Sequence, residues 1–279
     1  SAATEFRIPH VCDTWQELVM RPDVDIVVIG TWPYMHKAMT IAALDAGKHV
    51  FCQARMAMED AEARVMYEHA QARGKVVGLC PVPFGLKYDR AVARLLRERT
   101  LGQVRLVRVQ SFANAFASDD APMNWRKDHR LSGLNMHTLG MYVEVMHRWF
   151  GWTRAVSAQT NTFVRERVDA SGESVEVKIP DQVLANATMH DGVPVQYVIS
   201  AAVHKGEDRI EIYGSRGTIR YDVLPDEMYI AEDDREFAPV EVKNDEFYDV
   251  ADWRVESDFI EAVRGGAAFR PDFQDGLKY

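Results

Sequence analysis

Asp25-Ile26-Val27-Val28-Ile29-Gly30-Thr31 is a nearly unbroken run of β-branched residues. A half-exposed strand alternates apolar and polar side chains, so an unbroken run predicts a strand buried on both faces, as in a parallel sheet covered by helices. Residues 35–46 then have helical composition and stop at Gly47, where a helix end calls for a left-handed residue. The cycle repeats with His49-Val50-Phe51-Cys52 as a strand, 59–73 as a helix stopping at Gly74, and 75–80 as a third strand. Upstream, 14–20 predicts a short helix punctuated by Arg21-Pro22. Strand–helix alternation with short links means parallel strands and crossover helices. The first hundred residues therefore predict part of a doubly wound α/β sheet, without its beginning.

Beyond Gly102 the pattern changes. Residues 103–112, 154–163, 182–190, 195–203, 209–213 and 218–221 predict strands, several alternating in polarity as half-exposed antiparallel strands do. His190-Asp191-Gly192 and Ser215-Arg216-Gly217 have the composition of hairpin turns. Helices are predicted over about 137–150 and 253–263. This places a domain boundary near Leu101-Gly102, giving a partial parallel-sheet domain over 1–102 and an α+β domain with a large, mostly antiparallel sheet over 103–279.

The 279 residues are 47% hydrophobic and 27% charged, the balance of an ordinary globular chain. The formal charge is −9 and Lys and Arg form no basic block, which argues against a nucleic-acid partner. Apolar stretches are broken by charges well before the roughly 20 residues of a membrane span. Cys12, Cys52 and Cys80 cannot all pair and lack metal-ligand spacing, so no metal and a reducing, cytoplasmic setting are expected. Ser1 without a Met, and an apolar pattern just beginning at Gly276-Leu277-Lys278-Tyr279, suggest a chain cut at both ends.

Three ordered stretches carry a resemblance. Ile8-Pro9-His10-Val11 with Asp23-Val24 and the run after it, Ala42-Ala43-Leu44-Asp45-Ala46-Gly47-Lys48-His49-Val50, and Arg209-Ile210-Glu211-Ile212-Tyr213-Gly214-Ser215-Arg216-Gly217-Thr218 resemble the Gfo/Idh/MocA family. That family is named for glucose–fructose oxidoreductase and inositol dehydrogenase. The resemblance implies a Rossmann domain carrying NAD or NADP, here without its first βαβ unit. It also implies a second domain whose sheet supplies a homo-oligomer interface, and hydride transfer with a sugar-like or cyclitol hydroxyl compound as the small-molecule substrate. None of the 17 glycines stands in a G-x-G arrangement, so no dinucleotide fingerprint lies within these residues.

By the same resemblance, Thr31-Trp32-Pro33-Tyr34-Met35-His36 stands where the family has Thr-Pro-Asn-x-x-His, lining the cofactor's ribose and diphosphate. Thr31, Trp32, Pro33 and His36 are thus cofactor-binding candidates; the bland alternative is a helix entry with His36 on the surface. Gln53-Ala54-Arg55 replaces the family's Glu-Lys-Pro. Gln53 is a cofactor candidate. Arg55 keeps a cation one position from the family's Lys, able to stabilise an oxyanion but a poor proton shuttle.

Ser132 to Tyr142 sits where the family has a Gly-rich run and Asp-x-Gly-x-His, placing Tyr142 on the His position as the candidate acid/base and His137 nearby as a group titrating close to neutrality. A phenol acting as base needs a depressed pKa. The plain alternative for Tyr142 is helix packing against Val145 and Met146. Trp125-Arg126 resembles a pair that approaches the cofactor, and Lys127-Asp128-His129-Arg130 after it predicts a solvated surface. Cys80-Pro81-Val82-Pro83-Phe84 is apolar where many relatives carry an Arg, suggesting a less charged substrate pocket. Because Ala54 stands at the Lys position, two other readings stay open: a redox-neutral, cofactor-assisted hydrolase or lyase, and a non-catalytic sugar-binding relative.

Overall fold

The computed structural model describes residues 2–80, 86–134, 136, 138–242 and 253–278. From the amino end come α1 (Ala2–Glu5), α2 (Trp15–Met20), β1 (Ile26–Ile29), α3 (His36–Asp45), β2 (His49–Cys52), α4 (Asp60–Arg73) and β3 (Val77–Leu79). Next are α5 (Asp89–Arg97), β4 (Val104–Phe112), α6 (His129–Ser132), α7 (Leu139–Phe150) and β5 (Thr153–Asn161). Then follow β6 (Glu166–Val168), β7 (Ser174–Glu176), β8 (Gln182–Met189), β9 (Pro194–Ser200), β10 (Arg209–Gly214), β11 (Gly217–Asp222), β12 (Glu227–Glu232) and β13 (Ala238–Pro239). The last elements are α8 (Val255–Val263) and α9 (Phe273–Gly276).

The chain divides into two compact units, Ser1–Pro81 with Arg254–Leu277, and Val82–Trp253 with Lys278–Tyr279. In the first unit β1, β2 and β3 form a parallel sheet in that order, as the β-branched run and the glycine-terminated helices predict. Gly74 closes α4 at φ 61°, the left-handed conformation that a Cβ disfavours. The carboxyl-terminal segment completes this unit's core. The Phe51 ring on β2 lies 5.2 Å from that of Phe259 on α8 and 5.8 Å from that of Phe269, and Leu79 N donates to Pro271 O. Gly78 is glycine for space: a Cβ there would come within 2.6 Å of Phe269.

The second unit carries an eight-stranded sheet, ordered β13-β12-β11-β10-β4-β9-β8-β5, and a separate β6–β7 hairpin. Among the described residues, only the β4–β9 pairing in the large sheet is parallel. Alternate residues of β4, β8, β9, β10 and β11 point into one core, which α5 and α7 share through Val92, Leu95, Tyr142, Val145 and Met146. The boundary drawn at 102 from sequence falls inside this unit, because α5 buries Ala91, Val92 and Leu95 at helical spacing in its core. The helix predicted at 253–263 belongs with the first unit for the converse reason: its Phe259 packs on β2. The β6–β7 hairpin and β12 carry no alternation strong enough to announce them.

No helix among the described residues is long and apolar enough to cross a membrane. Among them Cys12, Cys52 and Cys80 are free, and no cluster of metal-ligating residues occurs.

Candidate active site

In the first unit the functional candidates gather at the carboxyl ends of β1 and β2. There the chain leaves the sheet, backbone groups lose their ladder partners, and open α/β sheets bind ligands. Thr31 and Gln53 are exposed, Arg55 is half-buried, and Trp32 retains 45% of its surface. Pro33 is buried at the start of a single 3-10 turn over Pro33–Met35, where its missing N–H costs nothing.

His36 is neither a surface residue nor open to a ligand. It is 1% exposed. Its Nδ1 lies 2.9 Å from the Arg55 carbonyl oxygen and 3.2 Å from that of Met56, while Nε2 lies 3.0 Å from the Thr31 carbonyl oxygen. All these partners are acceptors and a neutral imidazole has one N–H, so the ring lies between the loops after β1 and β2 and donates to one of them. Gln53 N, donating to Ile29 O at 2.9 Å, extends the same tie. The bracket leaves Thr31, Trp32 and Gln53 facing outward on a fixed backbone.

In the second unit Tyr142 sits on the buried face of α7, with no exposed surface. Its hydroxyl donates to Asp208 Oδ2 at 2.8 Å; Ser111 Oγ donates to the same oxygen at 2.9 Å and Phe112 N donates to Oδ1 at 3.0 Å. Thr138 Oγ1, at the Asp position of the family pattern, is 2.9 Å from Ser111 Oγ. Burial, and then the Asp208 carboxylate, push the Tyr142 phenol's ionisation far above its ordinary value. That is the opposite of what a base working near neutrality needs. The packing reading of this residue accounts for its surroundings, with a polar tip satisfied by Asp208. His137, the other acid/base candidate, lies outside the described residues, as do residues 81–84 of the apolar stretch that begins at Cys80.

Trp125 is half-buried and Arg126 exposed, with the guanidinium carbon 4.3 Å from the indole centroid. The stack orients a cation without sequestering it. The next residue overturns the reading of 127–130 as a solvated run. Lys127 and Asp181 form an ion pair at 2.5 Å in which both side chains are fully buried. Lys127 Nζ also donates to the carbonyls of Ile179 and Pro180, at 3.3 and 3.2 Å, and lies 4.5 Å from the Phe116 ring centre. Burial pushes the ammonium's pKa down, and Asp181 offsets part of that. Arg167, itself buried, donates to the carbonyls of Phe116, Ser118 and Ala121. Two buried cations therefore pin the chain segment that presents Trp125 and Arg126.

Asp208, Asp181 and Arg167 were not singled out by sequence. Asp208 stands between Glu207 and Arg209 and looks like surface charge; Asp181 lies far along the chain from the Lys127 it pairs with. No local pattern announces either.

Comparison with known proteins agrees with both units. Residues 1–80 match the family model described as "Oxidoreductase family, NAD-binding Rossmann fold", and residues 90–220 match "GFO/IDH/MocA C-terminal domain". An uncharacterized oxidoreductase of Synechocystis is 28% identical over 73% of this chain, which spans 56% of that relative's length. Levoglucosan dehydrogenase of Pseudarthrobacter phenanthrenivorans is 24% identical over 99% of this chain and 80% of its own. The crystal structure of an oxidoreductase domain protein from Kribbella flavida superposes with a TM-score of 0.80 at 26% identity, covering 95% of this chain and 77% of that one. With a parallel sheet matching the family's NAD-binding domain and a mostly antiparallel sheet matching its second, the chain belongs to the GFO/IDH/MocA oxidoreductase family.

Proposed function

We propose that the protein is an NAD-dependent oxidoreductase that passes hydride between the nicotinamide ring and a hydroxyl-bearing carbon of a sugar-like or cyclitol compound. The observation that carries this reading is the carboxyl edge of the parallel sheet. In a chain of an NAD-binding family, His36 packs between two loops there, and Thr31, Trp32 and Gln53 are exposed. A hydroxyl, an indole and an amide on a rigid backbone fit the ribose and ring of a dinucleotide. A G-x-G turn for the pyrophosphate is not among the 279 residues.

Bound NAD supplies the hydride acceptor. The chain's own residues orient the substrate and manage charge. Arg55, one position from the family's Lys, stabilises the alkoxide that forms as the hydroxyl gives its proton to solvent water; being always protonated, it does not carry that proton itself. On the second unit Arg126, stacked on Trp125, presents an exposed cation suited to an anionic group. Tyr142 acts as a positioning residue, holding the Asp208 carboxylate in place. The name of the levoglucosan relative favours a sugar-like substrate.

Ala54 carries a second reading. With a methyl group at the family's Lys position, a retained cofactor could serve a redox-neutral cleavage of a glycoside, or binding without turnover.

The test is a calorimetric titration with NADH and with NADPH, followed by assays on cyclitols, anhydrosugars and glycosides that record both products and nicotinamide absorbance. Saturable binding with NADH preferred, and absorbance change matched to product, is the expected result. Product without absorbance change moves the reading to the redox-neutral class, and binding without product to a sugar-binding role. Failure to bind either cofactor overturns the proposal.

A further inference from the structure

We propose that Thr138, Ser111 and Asp208 form a proton wire within the second unit, along which the proton of a substrate hydroxyl at the start of α7 reaches solvent water. The inference rests on the oxidoreductase reading for the identity of the proton donor. Tyr142 is no rival for that proton, since its phenol is held protonated.

Three separate stretches of chain meet in the wire. Thr138 immediately precedes α7, Ser111 is the last residue but one of β4, and Asp208 immediately precedes β10. Ser111 Oγ lies 2.9 Å from Thr138 Oγ1 and 2.9 Å from Asp208 Oδ2. A hydroxyl has a single proton to donate, and an ionised carboxylate only accepts. The Ser111 proton therefore points to Asp208, and the Thr138 proton to Ser111. This fixes a direction: the outer lone pair of Thr138 Oγ1 is left to accept, and every hop moves a proton toward Asp208.

Burial gives the wire a closed middle and two open ends. Ser111 is 2% exposed, whereas Thr138 and Asp208 are both half-buried. In a dry link, hydrogen bonds are stronger than in water and polarise one another along the chain. The Thr138 hydroxyl is also released from the usual duty of its position. A Thr just before a helix ordinarily accepts from an amide of the first turn, but here no such bond is made and the hydroxyl turns to Ser111. Two residues on, a Cβ placed on Gly140 would meet nothing within 4 Å, so this turn of α7 borders open space.

At the far end, Tyr142 Oη and Phe112 N donate to the carboxylate and hold it still. The neighbouring cation, Arg209, is engaged by Asp222 and Glu207. Among the described residues no cation pairs with Asp208, so taking up a proton breaks no ion pair. The step balances: the substrate carbon gives a hydride to the cofactor of the proposed function, and its oxygen gives a proton to Thr138 Oγ1. Thr138 passes its own proton to Ser111, Ser111 passes its own to Asp208, and Asp208 returns one to water.

Thr138→Val keeps the shape of the side chain and removes the hydroxyl, whereas Thr138→Ser keeps the hydroxyl. With NAD and either myo-inositol or levoglucosan as probe, Thr138→Val and Ser111→Ala are each expected to lower kcat by about tenfold or more, with KM little changed. Thr138→Ser is expected to retain turnover. Because both cuts break one wire, the double variant should lose no more than either alone. A second readout needs no cofactor: the infrared band of the Asp208 carboxylate, identified by its loss in Asp208→Asn, should shift in Ser111→Ala and stay in place in Thr138→Ser. Retained turnover in Thr138→Val, an equal loss in Thr138→Ser, additive losses in the double variant, or an Asp208 band indifferent to Ser111→Ala would each overturn the wire alone. Unmodified protein that reduces no NAD with any cyclitol or anhydrosugar removes the oxidoreductase reading, and the wire with it.

Discussion

At the carboxyl edge of β1 and β2 the buried polar group is His36, and its ring serves the backbone, so that Thr31, Trp32 and Gln53 stay open. Under α7 the buried polar group is Tyr142 itself, the residue whose chemistry sequence resemblance favoured, and its hydroxyl is engaged by Asp208. One region buries an anchor and exposes the residues proposed to meet a cofactor; the other buries the residue the resemblance offered as acid/base. Arg126 and Lys127 repeat the first pattern within two residues, an exposed cation stacked on Trp125 above one sealed against Asp181. Burial with all partners satisfied thus separates the residues that hold a site from those able to touch a ligand.

The sharpest way to test that separation is at Lys127. Lys127→Met leaves the Asp181 carboxylate buried without its cation and should cost roughly 3–5 kcal/mol in urea unfolding. Lys127→Met with Asp181→Asn should recover part of it, since the amide oxygen can still accept from Phe163 N. Arg126→Ala, one residue away and exposed, should stay within about 0.5 kcal/mol. An equal loss at both positions would erase the distinction between anchor and reader.

A smaller effect is expected at His36. His36→Leu removes the ring's hydrogen bond to a loop carbonyl and its polar fit between the two loops, and should cost about 1–3 kcal/mol. NADH affinity should fall with it, because the two loops lose their common tie. Unchanged affinity in a folded variant would detach the bracket from the cofactor edge.

Among the buried anchors, the smallest change belongs to Tyr142. Tyr142→Phe should cost about 0.5–1.5 kcal/mol at neutral pH and leave the pH profile of any turnover unaltered through the neutral range. Because the folded-state pKa is raised, the protonated phenol's contribution is fully present below the unfolded value near 10 and is lost as pH climbs above it. The unmodified protein should therefore lose stability more steeply than Tyr142→Phe in strong alkali. A loss of the basic limb of the activity profile in Tyr142→Phe would restore the phenol to a catalytic role.

Most of the architecture was legible in sequence because its signals are local. The β-branched run at 26–29, the glycines closing α3 and α4, and the alternation in β4, β8 and β9 each declare an element within a few residues. The site was less legible because its decisive contacts are not local. Lys127 meets Asp181 and Tyr142 meets Asp208 only after the second unit has folded. A lone Asp between Glu207 and Arg209 carries no mark of the three donors it will accept. Helix periodicity placed Tyr142 on the inner face of α7 correctly, and that bland reading carried more than the motif alignment did.

The return of Arg254–Leu277 to the first unit has a consequence for synthesis. A ribosome makes the chain from its amino end, so the parallel sheet emerges long before Phe259, Phe269 and Phe273. Until they arrive, the Phe51 ring and the bare backbone at Gly78 lack the aromatic cover that completes their core. The second unit, one nearly continuous stretch, has no such wait. Order of appearance and order of completion are therefore reversed: the sheet built from residues 26–79 is closed by residues made only after the second unit.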